Sequence, residues 1–170
     1  SEGAVIVNPD DNTVAEYSKK RDAFLAERKE LENYRGRETK SASGEVYELF
    51  CNIGKPEDAV KAVDADGEGV GLFRTEFLFM DRTSIPTEDE QFEAYKKVLA
   101  DMDGKEVIIR TLDIGADKQI GYFNLPKEDN PAMGMRALRI CLNRPEIFKT
   151  QLRALYRASA FGKLGIMFPM

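Results

Sequence analysis

Three arginines in this chain lie where their guanidinium groups could bind a small anion. Arg74 lies inside the apolar stretch GLFRTEFLFM, Arg110 ends the apolar run EVIIR, and Arg136 lies in NPAMGMRALR. An arginine within an apolar segment needs a negative partner, because removing a charge from water costs on the order of several kcal/mol if nothing compensates it. Phosphate is one such partner, since its oxygens match the planar fork of a guanidinium group two at a time.

A structural alternative explains the same arginines without any ligand. Glu76 lies two residues after Arg74, so on an extended segment both side chains face the same way and can form a salt bridge. Asp113 and Asp117 follow Arg110 in the segment RTLDIGADK and could neutralise it. Spacing alone leaves the phosphate site and the salt-bridge cluster as equal alternatives.

The histidine, cysteine and carboxylate content limits the reactions that the chain could catalyse by itself. It contains no histidine, so a general-base or phosphate-carrying histidine must lie outside it. Cys51 and Cys141 are far apart in sequence, which favours two half-buried thiols over a disulfide framework. Carboxylates are plentiful, but none shows a convincing metal-ligand spacing, and we predict no metal site within the chain.

The pattern from Glu45 onward predicts alternating strands and helices around these arginines. Continuous apolar strands that alternate with helices favour a parallel sheet in an α/β fold. A doubly wound sheet and a (β/α)₈ barrel both fit, and four strands are half of a barrel, which takes about 250 residues when complete. The predicted strands lie in EVYELFCNIG, VGLFRTEFLFM, KEVIIRTLDIG and LGIMFPM, and the Met and Phe residues of FLFM and IMFPM are expected to pack in the core.

The predicted strands place the arginines at one edge of the sheet. Ligands of parallel α/β folds collect outside the carboxyl ends of the strands, and Arg74 and Arg110 lie near such ends. Neighbouring strands are about 4.8 Å apart, so the two guanidinium groups would repel one another unless something negative lies between them. Arg136 is predicted to begin a helix after the loop that follows the third strand.

Capping residues and prolines predict where several helices begin. Thr87 and Glu90 have the spacing of a capping box, and Gly104 is predicted to end the same helix. Pro56 suits the first turn of the preceding helix, and Pro131 and Pro145 are each predicted to lie at a helix start.

The N-terminal part lacks the alternation of strands and helices that is predicted for the rest of the chain. A long helix is predicted from Thr13 to Arg35, and Gly36 occupies the position of a C-terminal stop. Its narrow apolar stripe suits a connector that rests on another surface. We therefore divide the chain into a connector, residues 1–43, and an α/β part, residues 44–170.

Composition excludes several classes of protein. A net charge of −5 over 170 residues argues against general nucleic-acid binding. No apolar run approaches the roughly 20 residues that span a bilayer, so we expect no membrane insertion, and free cysteines suit a reducing cytoplasm. The sequence stops on the strand-like KLGIMFPM, and we expect it to be a piece of a larger protein.

Four motifs taken together resemble one known family. GVGLFRTEFLFMDR, IIRTLDIGADK, EDNPAMGMRALR and RASAFGKLGIMFPM, in this order and with these gaps, are similar to the phosphoenolpyruvate (PEP)-binding region of enzyme I, the PEP-protein phosphotransferase of the bacterial sugar phosphotransferase system. The resemblance covers nearly everything from Val46 to Met170. Residues 1–43 resemble the helical connector that precedes the barrel in that family.

The resemblance implies a fold, a ligand and roles for the arginines. The fold would be a (β/α)₈ barrel whose mouth binds PEP and Mg²⁺, and this chain would form its first half. Arg74 and Arg110 would bind the substrate phosphate, and Arg136 would belong to the same constellation. The phosphoryl group would pass to a histidine on a separate N-terminal domain and then to the carrier protein HPr.

The resemblance also implies what this chain lacks. The metal-binding carboxylates and the proton-donating cysteine of the family would lie beyond Met170, and neither Cys51 nor Cys141 aligns with that cysteine. The chain by itself is therefore expected to be inactive. A half barrel would also have two edge strands with unpaired backbone groups, so we expect the chain to self-associate as a homodimer. A fragment of a pyruvate phosphate dikinase or PEP synthase, and a non-catalytic half-barrel binding module, are the alternatives.

Overall fold

A computed structural model describes residues 3, 5–80, 82–115 and 120–170. The chain divides into two compact units, Ser1–Glu38 and Thr39–Met170. Within the described residues, no helix is both long enough and apolar enough to span a membrane.

The N-terminal unit is built on one long helix, as predicted. Helix α1 covers Asp11–Leu31 and continues as a 3₁₀ helix over Glu32–Tyr34. Asp10 is the N-cap residue, and its carboxylate accepts a hydrogen bond from the Thr13 amide at 2.7 Å. Gly36 then adopts a φ of +72°, the left-handed conformation that ends helices. None of the residues of α1 is buried.

The C-terminal unit is an α/β fold with one parallel sheet of four strands. The strands lie side by side in chain order, β1-β2-β3-β4. A doubly wound sheet reverses its strand order at a switch point, whereas a barrel adds each strand next to the one before it. The observed order therefore fits part of a (β/α)₈ barrel. The strands are β1 (Phe50–Ile53), β2 (Gly69–Arg74), β3 (Glu106–Arg110) and β4 (Leu164–Met167).

Helices connect successive strands. The capping box that begins α3 is present: the Thr87 hydroxyl accepts from the Glu90 amide at 3.2 Å, and the Glu90 carboxylate accepts from the Thr87 amide at 2.7 Å. Pro145 lies in the first turn of α5, as predicted. The helices are α2 (Asp58–Asp64), α3 (Glu88–Asp101), α4 (Ala137–Asn143) and α5 (Pro145–Ala158).

Two predicted helix starts are wrong. Helix α2 begins at Asp58, two residues after Pro56, which lies in a preceding turn. Pro131 lies in a turn, and the helix that was expected to begin there starts only at Ala137. Proline suits a turn as well as a first helical turn because its φ is fixed near −65° in either case, so the residue type alone does not choose.

The helices cover one face of the sheet. Val107 and Ile109 of β3 are fully buried in a core formed with α2, α3 and α5, while their neighbours Ile108 and Arg110 are only half-buried. A second core lies under the loops that follow β2 and β3. It consists of Phe79, Leu112, Ile114, Phe123, Ile140, Cys141 and Ile147.

The prediction that GLFRTEFLFM is a continuous strand is wrong. Strand β2 ends at Arg74, and the next four residues, Thr75–Leu78, form a 3₁₀ helix. Thr75 and Glu76 are buried there and bind polar groups of β3, which compensates for their burial. Long-range polar partners therefore end the strand where local β-propensity would continue it.

Candidate functional site

Arg74 and Arg110 lie side by side at the carboxyl edge of the sheet. They are the last residues of β2 and β3 and are direct partners in the register of the two strands. In parallel α/β folds, ligands bind at this edge. The structure thus brings together the two arginines that the strand pattern placed near each other.

Arg110 is held in place by two carboxylates. Its Nη2 donates to Glu76 Oε1 at 2.8 Å, and its Nη1 lies 3.0 Å from Asp113 Oδ2. The Arg110 side chain is 17% exposed and that of Glu76 only 3%. Hydrogen-bonded pairs this dry are strong and directional, so the Arg110 guanidinium group is oriented before any ligand arrives.

Arg136 joins the same cluster through Asp113. It is the N-cap residue of α4, and its Nη2 donates to Asp113 Oδ1 at 3.0 Å. Asp113 therefore binds Arg110 with one oxygen and Arg136 with the other. All three predicted site arginines lie on the segments that follow or end the second and third strands.

Arg74 differs from the other two because its guanidinium group has no carboxylate partner among the residues that the structure describes. Glu76, its predicted partner, binds Arg110 instead, because the 3₁₀ turn carries Glu76 away from the extended path on which the two side chains would meet. The Arg74 guanidinium carbon lies 4.9 Å from the centre of the Phe77 ring. Its Nε atom is buried and has no hydrogen-bond partner within the described ranges.

The charges of the described cluster do not balance. Glu76, Arg110, Asp113 and Arg136 contribute two negative and two positive charges, and Arg74 adds a positive charge. The cluster is therefore partly the salt-bridge network of the structural alternative, and Arg74 lies beside it without an ion pair among the described residues. Such an excess positive charge in a partly buried site can bind an anion.

Further buried polar atoms at this edge lack partners in the part of the chain that the structure describes. Arg110 Nε and Thr111 Oγ1 are buried and make no hydrogen bond within the described residues. Buried donors in native proteins nearly always have a partner, and each exception calls for an explanation. A ligand rich in acceptor oxygens at this edge would supply partners of the right kind.

The long loop that leads to Arg136 is anchored on the second core. Arg144 Nη2 donates to the Phe123 carbonyl at 2.9 Å, and the Tyr122 hydroxyl donates to the Phe79 carbonyl. Two aromatic residues of the loop thereby fix its path above the sheet edge. Sequence reasoning missed these anchors, because a carbonyl that accepts from a distant side chain leaves no local signal.

The backbone around Arg136 is unusual. Ala137, the next residue, is fully buried and adopts a φ of +47°, a conformation that is costly for a residue with a Cβ atom. Its amide donates to the Ile114 carbonyl at 2.9 Å, which ties the start of α4 to the segment after β3. A Cβ atom at Gly134 would lie 1.3 Å from Glu128 Oε2, so the glycine leaves room for that carboxylate.

Phe77 also corrects the sequence prediction. It was expected to pack in the core, yet it is 37% exposed and lies over the Arg74 guanidinium group, whereas Phe79 is fully buried. At the other predicted core stretch, Phe168 and Met170 are exposed. Residues 77 and 79 share their type and would face the same way on an extended strand, so the pattern gave no sign that their burial differs. The 3₁₀ turn at Thr75–Leu78 separates them.

The two cysteines are free thiols, as predicted, but only Cys51 has the half-buried position that was expected of both. Cys51 is half-buried on β1, and Cys141 is buried in the second core, where desolvation raises its pKa to about 11. Asp117, an expected neutralising residue, lies outside the described residues. Across the described ranges, no group of three or more metal-binding side chains comes together.

A family profile and full-length relatives both match this chain, and they agree with one another. The profile of the family described as "PEP-utilising enzyme, PEP-binding domain" matches residues 28–170. Over 168 residues, 99% of this chain, the sequence is 55% identical to a phosphoenolpyruvate-protein phosphotransferase of Staphylococcus carnosus and 54% identical to that of Bacillus subtilis. The chain spans only 29% and 30% of the length of these relatives.

Proposed function

We propose, since this chain belongs to the PEP-binding domain family of PEP-utilising enzymes, that it forms part of the PEP site of a PEP-protein phosphotransferase. The observation that carries the proposal is the Arg74 guanidinium group, which has no carboxylate partner among the described residues and lies beside Arg110 at the carboxyl edge of the sheet. The names of the relatives favour this activity over that of a dikinase or synthase.

The arginines would act on the phosphate group of PEP. When a phosphoryl group is transferred, negative charge spreads over its equatorial oxygens. Arg110, oriented by Glu76 and Asp113, offers donors in a fixed direction, so it need not reorganise as the charge develops. Arg74 supplies the excess positive charge, and Arg136 completes a ring of donors around the substrate.

The phosphoryl acceptor would be supplied from outside this chain. The chain has no histidine, so the phosphorylated histidine belongs to another domain, from which the group passes to the carrier HPr. A proton donor for the pyruvate enolate would also lie elsewhere, since Cys141 is buried below the edge and its thiol pKa is raised to about 11. The chain's own part is to bind and orient PEP.

Magnesium would not be held by the described residues. Glu76 and Asp113, the carboxylates that the structure places at the arginine cluster, both bind arginine, and the described part of the chain contains no cluster of metal ligands. We place the Mg²⁺ ligands of the complete site on other segments of the full-length protein.

The remaining features of the proposal concern the chain as a whole. Residues 1–43 would serve as a connector, which the compact unit Ser1–Glu38 with its exposed helix α1 supports. The protein would be cytoplasmic, which fits two free cysteines, and homodimeric, which fits a sheet whose strands β1 and β4 each have one neighbour.

The proposal is tested by removing the arginines from the full-length protein. Arg74→Ala or Arg110→Ala should each lower kcat/KM for phosphoryl transfer from PEP by about 100- to 1,000-fold, the usual loss for a removed transition-state donor. Arg157→Ala, which removes an arginine bound to Glu88 and Asp89 on the outer helices, is the control and should stay near wild type. A near-normal rate for Arg74→Ala would refute the proposed phosphate site.

A further inference from the structure

A chain of buried hydrogen bonds runs from the outer helices toward the arginines. Gln91, Tyr95, Gln151 and Thr75 are all fully buried. The Tyr95 hydroxyl donates to Gln91 Oε1 at 3.1 Å, and Gln151 Nε2 donates to the Tyr95 hydroxyl at 3.1 Å and to Thr75 Oγ1 at 3.2 Å. Polar groups buried this deeply are stable only when their partners are all present.

The chain of hydrogen bonds ends on the backbone beside the two arginines. Thr75, the residue after Arg74, donates its hydroxyl proton to the Arg110 carbonyl at 2.7 Å. Gln151 Oε1 accepts from the amide of Leu112, two residues after Arg110, at 2.9 Å. Both contacts lie at the point where the paired part of β2 and β3 ends.

The direction of each hydrogen bond is determined. A hydroxyl group has one proton, and Thr75 donates that proton to the Arg110 carbonyl. The Thr75 hydroxyl oxygen can therefore only accept from Gln151. Because the Leu112 amide can only donate, Gln151 must present its oxygen to Leu112 and its NH₂ group to Thr75. The Gln151 side chain thus binds both the segment after β2, at Thr75, and the segment after β3, at Leu112. These hydrogen bonds can form in only one arrangement of the two segments.

We propose that Thr75 and Gln151 are positioning residues that fix the distance between the guanidinium groups of Arg74 and Arg110. The inference rests on the proposed function, since it assigns these residues a role in binding PEP. Beyond Arg74 the strand ladder has ended, and among the described residues no ion pair holds the Arg74 side chain. The Thr75 hydroxyl is therefore the next contact that joins the two arginine-bearing segments.

Small displacements matter at such a site. A shift of about 1 Å in a substrate-positioning group can lower catalysis by about 100-fold. Losing the Thr75 hydroxyl would remove one of the polar contacts that join the strand ends beyond the ladder, another being the Arg110–Glu76 ion pair, without altering either arginine. The expected signature is a raised KM for PEP with a smaller change in kcat, because phosphate binding would be weakened in the ground state as well as in the transition state.

The experiment compares matched substitutions at Thr75 in the full-length protein. Thr75→Val keeps the shape and removes the hydroxyl, and it should raise the KM for PEP by about 10- to 100-fold. Thr75→Ser restores the hydroxyl and should bring KM back to within about threefold of wild type. Gln151→Met keeps the length of the side chain and removes its three hydrogen bonds, to Thr75, Tyr95 and Leu112. It is an independent second variant and should also raise KM.

Tyr95→Phe separates positioning from stability. It removes a hydroxyl from the same buried chain, while the Thr75–Arg110 and Gln151–Leu112 contacts remain. Its melting temperature should fall much as that of Thr75→Val does, but its KM should remain within about threefold of wild type.

The outcomes are distinguishable. If Thr75→Val and Gln151→Met have the KM of Tyr95→Phe while Arg74→Ala is severely impaired, the positioning role is wrong and the phosphate site stands. If Arg74→Ala is also unimpaired, the proposed function itself has failed. A raised KM in Thr75→Val that Thr75→Ser reverses supports the inference.

Discussion

Arg74 and Arg110 are the last residues of two neighbouring parallel strands and are direct partners in the register, yet their side chains make different contacts. Arg110 is bound by Glu76 at 2.8 Å and by Asp113 at 3.0 Å. Arg74 lies over the Phe77 ring, with no carboxylate partner among the described residues. The Arg110 guanidinium group is thus held by two carboxylates, whereas that of Arg74 has no ion pair among the described residues. The predictions below follow from this difference and from the backbone that supports it.

The two arginines should differ in their contribution to stability. Arg110→Met removes an ion-pair partner of Glu76, a carboxylate that is only 3% exposed, and should lower the free energy of unfolding by about 3 kcal/mol. Arg74→Met removes a charge that has no ion pair among the described residues, and it should change stability by less than about 1 kcal/mol. Urea denaturation of the two variants measures the difference, and equal losses would contradict it.

The chain by itself should not transfer phosphate. Incubated with labelled PEP and HPr, it should acquire no phosphohistidine and should label no HPr, because it contains no histidine. Acid-labile label on the protein, detected after gel electrophoresis, measures the reaction. Transfer at a measurable rate would show that the acceptor has been assigned wrongly.

Cys141 should be unreactive in the native protein at neutral pH. Its thiol is buried, and burial raises its pKa to about 11, so the reactive thiolate is a small fraction of the thiol at pH 8. Mass mapping after iodoacetamide treatment should find Cys51, which is half-buried, modified first. Modification of Cys141 should increase as the pH rises toward 11. Equal labelling of both thiols at pH 8 would contradict the burial.

Ala137 should tolerate glycine and reject valine. Its φ of +47° costs an L-residue about 1 to 2 kcal/mol, which glycine would not incur, while loss of one buried methyl group costs about 0.8 kcal/mol. Ala137→Gly should therefore stay within about 1 kcal/mol of wild type, as these two effects oppose one another.

Ala137→Val provides the contrast. A β-branched residue fits poorly at positive φ and would overpack a fully buried position, so a loss of at least about 2 kcal/mol is expected. Thermal unfolding of both variants measures the pair. A valine variant as stable as the glycine variant would show that the left-handed backbone at this position is absent in solution.

The chain should self-associate. Strands β1 and β4 are at the two edges of the sheet and each has one neighbour, so each presents unpaired backbone groups along its other side. Sedimentation velocity over a range of concentrations should show a dimer or larger species. A clean monomer at high concentration would count against pairing through these edges.

Much of the fold could be predicted because its signals are local. The alternation of apolar strands with helices requires only the order of residue types, and the capping box at Thr87 and Glu90 requires only a spacing of three residues. The proximity of Arg74 and Arg110 followed from the same source, since both end strands that are adjacent in the chain. The predictions failed where one residue type suits two local structures, as at Pro131.

The tertiary structure alone decided which groups bind each other. The spacing in the sequence favoured Arg74 as the partner of Glu76, but the 3₁₀ turn at Thr75–Leu78 places Glu76 against Arg110 instead. Gln151, distant in sequence, reached Thr75 only once α5 had packed on the sheet. Hydrophobic periodicity and helix caps depend on residues only a few positions apart, so they can be recognised in the sequence. Ion pairs and buried hydrogen bonds join residues that meet only after folding, and they determined that Arg110, and not Arg74, binds Glu76.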